Sequence, residues 1–365
     1  MRDKIESVVR HFGLCGGLAS FAPVNRGHIN DTYVLTADDR GRLEQYVLQR
    51  INTAVFKDPL SMMTNIIRIT EHITGKMRDI DPALASRQLS VISTDDSKGC
   101  YEDIDGNFWR VYNFVQSAVT HDALESNDLV YESARMFGWF QRMLIDLPAP
   151  ALYETIPGFH NTPRRFEIFR QALDADTFNR ARNATSEIQF LLENSGLCNV
   201  LLNLADKGEI PQRIAHNDAK INNVMLDERT GKGVCVIDLD TVMPGLSLYD
   251  FGDMVRTAVC SAAEDERNLS IVNVDLAMFE ALVRGYAAEA GRFLTSAEKK
   301  NLVSAGKLIT FEQFMRFLTD YLAGDVYYKV SRQGHNLDRS RTQMKLLKSI
   351  IEKEEVMTEL VEEVF

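Results

Sequence analysis

The chain is short of several features that would have defined it at once. It has only five cysteines in 365 residues, Cys15, Cys100, Cys198, Cys235 and Cys260, all far apart. An odd number with no CxxC spacing argues against a disulfide framework and against a structural zinc site. No apolar run approaches the roughly 20 residues of a membrane span. The opening segment, MRDKIESVVRHFGL, carries charges where a secretory signal needs a continuous apolar stretch. Positive charge is scarce: 41 Lys and Arg face 52 Asp and Glu, a formal net charge of −11. Nucleic-acid binders usually present a basic field, so that class is disfavoured. Two phosphate-binding signatures, GxGxxG and the Walker A sequence, are also missing. What remains is ordinary globular material, 45% hydrophobic and 25% charged, with enough apolar residues for a sizeable core. About two domains or lobes are expected at this length, in a reduced, cytoplasmic, soluble protein.

Residues 3–12 read as a short amphipathic helix. Strands are expected between 21 and 50, where TYVLTA and EQYVLQRI flank the turn DDRGR. A helix follows over 59–75, with Pro59 in its first turn and Gly75 at its end. Two more strands lie near 88–94 and 107–115. The pattern then turns helical, over 128–147, 163–194, 197–207, 248–262, 272–290, 296–322 and 341–363. One hairpin, NVMLDERTGKGVCVIDLD, interrupts it and turns at Thr230–Gly233. The outline is α+β: a small antiparallel β-rich lobe over 1–115 and a large, mainly helical lobe over 116–365.

The polar string HNDAKINN, residues 216–223, runs directly into that hairpin. A hairpin brings its two ends together, so Asn223 at one end and Asp238 at the other converge. Asp218 lies in the loop beside them. Two oxygen donors suit a hard cation such as Mg2+. A carboxylate near the metal but off it suits taking a proton from a hydroxyl. Phosphoryl transfer needs these parts: metal ligands, a base and positioning. Singly, the same residues would serve as a turn cap and two strand ends. Their joint spacing is what points to chemistry.

Seven segments, GHINDTY, YVLQRIN, VFKDP, HNDAKINN, VCVIDLDTVMPG, YDFGD and RFLTDYLAGD, run in this order from residue 27 to about 325. Together they resemble the bacterial N-acetylhexosamine 1-kinases of the aminoglycoside phosphotransferase and choline kinase superfamily. The resemblance implies a protein-kinase-like two-lobe fold, with ATP and Mg2+ as cofactors. It implies transfer of phosphate to the anomeric hydroxyl of GlcNAc or GalNAc. Asp218 would be the base, Asn223 and Asp238 the Mg2+ ligands, and Asp240 a supporting or second-metal carboxylate. In the loop NRGHIND, His28, Asn30 and Asp31 would meet sugar hydroxyls or phosphate oxygens, with His28 and Asp31 facing the sugar. The plain alternative there is an Asn-Asp turn with an exposed His. Arg316 and Tyr327 would line the sugar pocket, unless Arg316 simply pairs with Asp320 one turn away.

On the nucleotide side, Asn113, Phe114, Val115 and Gln116 fit the hinge that meets adenine through backbone groups. The strand lysine of protein kinases is missing, and Gln49 and Arg50 stand in its place. Strand alternation lets only one of them point inward. Arg50 is the nearest cation and the candidate for the phosphates. Glu71 lies near the end of its helix, so a Lys–Glu pair is not expected. Asp250-Phe251-Gly252 mimics a kinase metal motif but comes after the hairpin. Asp250 is therefore expected to hold the catalytic loop or cap a helix. The expected partner is a small-molecule sugar, with no nucleic acid or membrane, on a monomer or weak homodimer. A kinase for choline, an amino alcohol or an aminoglycoside is the alternative acceptor reading. A pseudokinase binding module is opposed by the presence of Asp218, Asn223 and Asp238.

Overall fold

The computed structural model describes residues 2–24, 29–121 and 126–365. Helix α1 (Arg2–Val9) precedes an antiparallel sheet of β1 (Gly17–Val24), β2 (Asp31–Asp39), β3 (Arg42–Arg50), β4 (Val91–Ile92), β5 (Tyr101–Glu102) and β6 (Phe108–Asn113). The spatial order is β1-β2-β3-β6-β4, with β5 also paired to β6. Alternation divides the sheet cleanly. Leu35, Ala37, Tyr46, Leu48, Trp109 and Val111 pack on Ile5, Val8 and Val9 of α1. Val47 and Tyr112 face the other way, into the core shared with α2 (Pro59–Ile80).

Asp58 caps α2 by accepting from the Ser61 amide at 3.0 Å, and Pro59 opens its first turn. The helix does not stop at Gly75, as the sequence pattern predicts, but continues to Ile80. A mid-helix glycine costs only about 1 kcal/mol. Buried Met77 and the 2.8 Å bond from Lys76 Nζ to the Met143 carbonyl hold the extra turn in place.

The helical lobe follows. Helix α3 (Pro82–Ala85) comes before β4, on the sheet side, and the helical lobe opens with the short β7 (Ala118–Val119) and α4 (Asn127–Met143). Next come α5 (Thr162–Ala175), α6 (Thr185–Glu193), α7 (Val200–Asp206), β8 (Arg213–Ala215), β9 (Val224–Asp227), β10 (Gly233–Val236), β11 (Met243–Gly245) and α8 (Ser247–Ala258). The chain ends with α9 (Leu276–Ala290), α10 (Ser296–Lys300), α11 (Leu302–Leu322), α12 (His335–Glu352) and α13 (Glu354–Val364). Helices α8 and α11 form the centre of the lobe, and Phe251, Met254, Phe311, Phe314 and Leu318 are fully buried. The hairpin pairs β9 with β10, and β7 adds to its edge.

Three helices expected from periodicity are broken, and of these the stretch 296–322 divides at Asn301, between α10 and α11. The stretch 163–194 divides because Asp176 is left-handed, with φ 30°. Its carboxylate takes the amides of Arg180 and Ala181, which fixes a turn there. The stretch 341–363 begins earlier, at His335 behind left-handed Gly334, and breaks at Lys353. No helix among the described residues is long and apolar enough to cross a membrane.

Candidate active site

The loop after β8 is held from beneath by one carboxylate. Asp250, on α8, is fully buried and accepts from the His216 amide at 2.9 Å, the Asn217 amide at 2.7 Å and Gln141 Nε2 at 2.6 Å. The expectation that Asp250 holds the catalytic loop matches this geometry. Asn217 adopts φ 63°, a left-handed state that Asn tolerates better than most residues. That reversal falls directly between His216, which Asp250 holds, and Asp218. Gly245 leaves the room for it, because a Cβ there would lie 2.6 Å from Asn217 Oδ1. From the other side His160 bridges the Asn217 carbonyl at 2.9 Å and Glu312 Oε1 at 2.9 Å. Burial works against the Glu312 charge. His160 and the nearby arginines outweigh it and hold the carboxyl down at about 2.

Asp218 itself is paired with Lys220, with Nζ 2.8 Å from Oδ1. Burial pushes its pKa up, but Lys220, His216 and Arg256 pull it below the ordinary carboxylate value. Asp218 is thus ionised at neutral pH, as a proton acceptor must be. Lys220, whose role the sequence leaves open, is the ion partner of Asp218.

Asn223 and Asp238 meet as the hairpin requires. The Ile237 amide donates to the Asn223 carbonyl at 2.9 Å, which sets Asp238 beside it. Asn223 Nδ2 donates to the Asp218 carbonyl at 2.9 Å, so its Oδ1 turns the other way. Asp238 stands in a left-handed conformation, φ 60° and ψ 53°, and its side chain caps no amide. Asp238 is exposed to solvent, yet partial desolvation by the protein around it and the negative charges of Asp240 and Asp218 push its carboxyl up to about 6. An outward amide oxygen beside an overcrowded carboxylate suits a hard divalent cation. Asp240 is different. It is 2% exposed and takes a bidentate ion pair from Arg110, with Nη2 2.9 Å from Oδ2. A role as a second metal ligand does not fit that engagement.

On the nucleotide side, Val115 is buried against Val234 and Cys235. No backbone or side-chain acceptor is met by the amides of Phe114, Val115 or Gln116 among the described residues. That edge is open to a planar base. Asn113 braces the hinge rather than facing a ligand, accepting from the Ser90 amide at 2.7 Å and donating to the Gln88 carbonyl at 2.9 Å. The expectation for Arg50 is corrected. Arg50 shares the α1 face of its strand with Leu48 and Tyr46, and its guanidinium is held by Asp31, its cross-strand neighbour. Both side chains are close to half exposed. Gln49 points inward instead, where it accepts from Arg110 Nε at 3.0 Å. The cation facing the cleft therefore comes from β6. The only sign of Arg110 in the sequence was a charge within the apolar run FWRVYN.

On the acceptor side, Arg316 and Tyr327 come together. The Arg316 guanidinium lies over the rings of Phe159, Tyr327 and Tyr328, at 5.4, 6.0 and 5.7 Å. Its one side-chain hydrogen bond among the described residues goes to Gln313. The alternative pairing with Asp320 does not form. Asp320 accepts the amides of Val326, Tyr327 and Tyr328 at 2.8–2.9 Å and so builds the loop that presents the tyrosines. Asp31 is on the α1 face with Arg50, which corrects its sugar-facing assignment. Asn30 bridges the Asn52 amide at 3.0 Å and Asp240 at 2.8 Å. It ties down a loop rather than presenting a free amide. His28 lies outside the described residues.

An antiparallel sheet above a helical lobe, with Asp218, Asn223 and Asp238 gathered beneath the cleft, is the architecture of the protein-kinase-like phosphotransferases. The phosphotransferase enzyme family (APH) matches this chain over residues 20–291, and the chain belongs to it. Among solved structures, an aminoglycoside phosphotransferase from Alicyclobacillus acidocaldarius is similar at 13% identity and TM-score 0.57, over 96% of each chain. A spectinomycin phosphotransferase in complex with ADP and spectinomycin is similar at 14% identity and TM-score 0.58, over 98% of each chain. A choline kinase from Cryptosporidium parvum is similar at 12% identity and TM-score 0.52, over 93% of this chain and 90% of that one. At these identities the likeness is one of fold.

Proposed function

We propose that the protein transfers the γ-phosphoryl group of ATP to the anomeric hydroxyl of an N-acetylhexosamine, GlcNAc or GalNAc. The observation that carries this reading is a loop anchored by Asp250 that holds Asp218 and Asn223, with Asp238 set beside Asn223 at the other end of the hairpin. Asp218 accepts the proton of the sugar 1-hydroxyl as its oxygen attacks the γ-phosphorus. The bond from that phosphorus to the β–γ bridging oxygen breaks, and ADP leaves with the electron pair. Asn223 and Asp238 would hold Mg2+, which supplies charge neutralisation on the phosphates when bound. Phe114 to Gln116 would meet adenine through their backbone. A solved relative of the same fold in complex with ADP supports nucleotide use.

The acceptor side supports a neutral polyol over a cationic acceptor. Among the described residues Arg316 has N–H donors that meet no acceptor, which suit hydroxyl and carbonyl oxygens. Its positive charge, together with nearby Arg165, opposes choline or an aminoglycoside. The test is ATP consumption across GlcNAc, GalNAc, glucose, galactose, choline and an aminoglycoside, with loss of the sugar's reducing end followed. Turnover of the N-acetyl sugars with a 1-phosphate product is expected. Turnover of choline or the aminoglycoside, with none of either N-acetyl sugar, would overturn the proposal.

A further inference from the structure

The cleft face of the sheet is tied to the metal-side turn through one buried carboxylate. Asp240 receives Arg110 from β6 and Asn30 from the loop before β2, with Arg110 Nη2 at 2.9 Å and Asn30 Nδ2 at 2.8 Å. Arg110 is 1% exposed and turns its other edge to Gln49, its cross-strand neighbour, with Nε at 3.0 Å and Nη2 at 2.8 Å. Nη1 meets Asp240 and the sulfur of Met63, so all five N–H groups are engaged. Asn30 is fixed from behind by the Asn52 amide at 3.0 Å.

The pattern excludes two simple roles. A guanidinium with every donor engaged is not waiting for a phosphate. A carboxylate with both oxygens engaged is not waiting for a metal. What the cluster does is join three parts of the site. These are the sheet, the short loop segment at Asn30 that leads into β2, and the 3-10 turn Leu239–Thr241 that directly follows Asp238.

We propose that Arg110 is a positioning residue for the metal–nucleotide complex. It acts as a built-in cation on Asp240, leaves Asp238 as the carboxylate of this pair that takes metal, and fixes the turn and the loop against the sheet. The role that a strand-β3 lysine would fill is thus moved one strand over, to a residue that works through Asp240 rather than on the phosphates. This rests on the nucleotide and metal reading above.

Calorimetry with MgADP tests it, alongside Mn2+ counting by electron paramagnetic resonance in the presence of ADP. Arg110→Leu strands a buried charge on Asp240, so Arg110→Leu/Asp240→Leu is measured with it and should melt close to the wild-type chain. Loss of a side chain that orients a metal ligand typically weakens binding by about 10–100-fold. Both variants should lose MgADP affinity by that factor, and Arg110→Lys, which keeps the charge without the fork, should fall between. Wild type should bind one Mn2+ per ADP site, and Asp240→Asn should keep that count. Wild-type MgADP affinity in the double variant would make the pair merely structural and overturn the proposal. Loss of a Mn2+ in Asp240→Asn at saturating Mn2+ and ADP would overturn it too, by making Asp240 a ligand. If the wild-type chain bound no MgADP, nucleotide use itself would fail first.

Discussion

Replacing Asp250 by alanine should unlock the loop that carries Asp218. Two backbone amides, those of His216 and Asn217, would lose their only carboxylate in a fully buried setting. Each orphaned amide costs about 1–3 kcal/mol, so together they cost about 4 kcal/mol. Gln141 adds less, because its Nε2 still reaches the Ser247 carbonyl at 3.4 Å. Against a total stability of roughly 5–15 kcal/mol, a loss of that size is large but survivable. Urea denaturation, read by linear extrapolation, measures it directly. Asp250→Asn keeps one acceptor oxygen and should lose about half as much. Turnover should fall in both variants, since Asp218 follows the freed amides. A loss under about 1 kcal/mol in the alanine variant, with normal turnover, would refute the claim that Asp250 supports the loop.

Three further outcomes follow from the same geometry. The depressed Glu312 pKa makes stability pH-dependent. The gap from 4.5 to about 2 corresponds to about 3 kcal/mol, present above pH 4.5 and lost as pH falls toward 2. Glu312→Gln should therefore trail wild type at neutral pH and converge with it in acid, as denaturation at a series of pH values would reveal. Asn223→Ala should raise the Mg2+ concentration needed for half-maximal turnover by roughly 10–100-fold, and an unchanged requirement would remove Asn223 from the metal. Arg316→Lys should raise acceptor KM by roughly tenfold and leave ATP KM alone, since it keeps the charge but gives up the fork, a loss of about one charge-assisted hydrogen bond of roughly 1.5 kcal/mol. A rise in ATP KM alone would move Arg316 out of the acceptor pocket.

The sequence carried local features well and distant pairings poorly. The β2–β3 ribbon was visible because TYVLTA and YVLQR alternate around a polar turn, and the observed register, with Val34 opposite Val47, closes on that turn. HNDAKINN was visible because its donors fall at the two ends of one hairpin, a relation confined to about 25 residues of chain. Arg110 was not visible as a partner of Asp240, since 130 residues separate them and only folding joins them. Arg50 misled for a related reason. Period two says that Gln49 and Arg50 face opposite ways, but only the packing of Leu48 on α1 decides which way is in. Arg316 and Asp320 are spaced as a helical ion pair, yet three amides of the 326–328 loop outcompete the guanidinium for the carboxylate. Helix breaks at Asp176, Asn301 and Lys353 are not legible in the sequence because apolar periodicity runs on through them.

The central claim is that Asp218 is the base of a phosphotransferase. Asp218→Asn tests it most directly, with turnover and MgADP affinity measured on the same preparation. Turnover should fall by roughly 10²–10⁴ while MgADP affinity holds, because the base is lost and the metal ligands Asn223 and Asp238 remain. Turnover near the wild-type value would contradict the assignment.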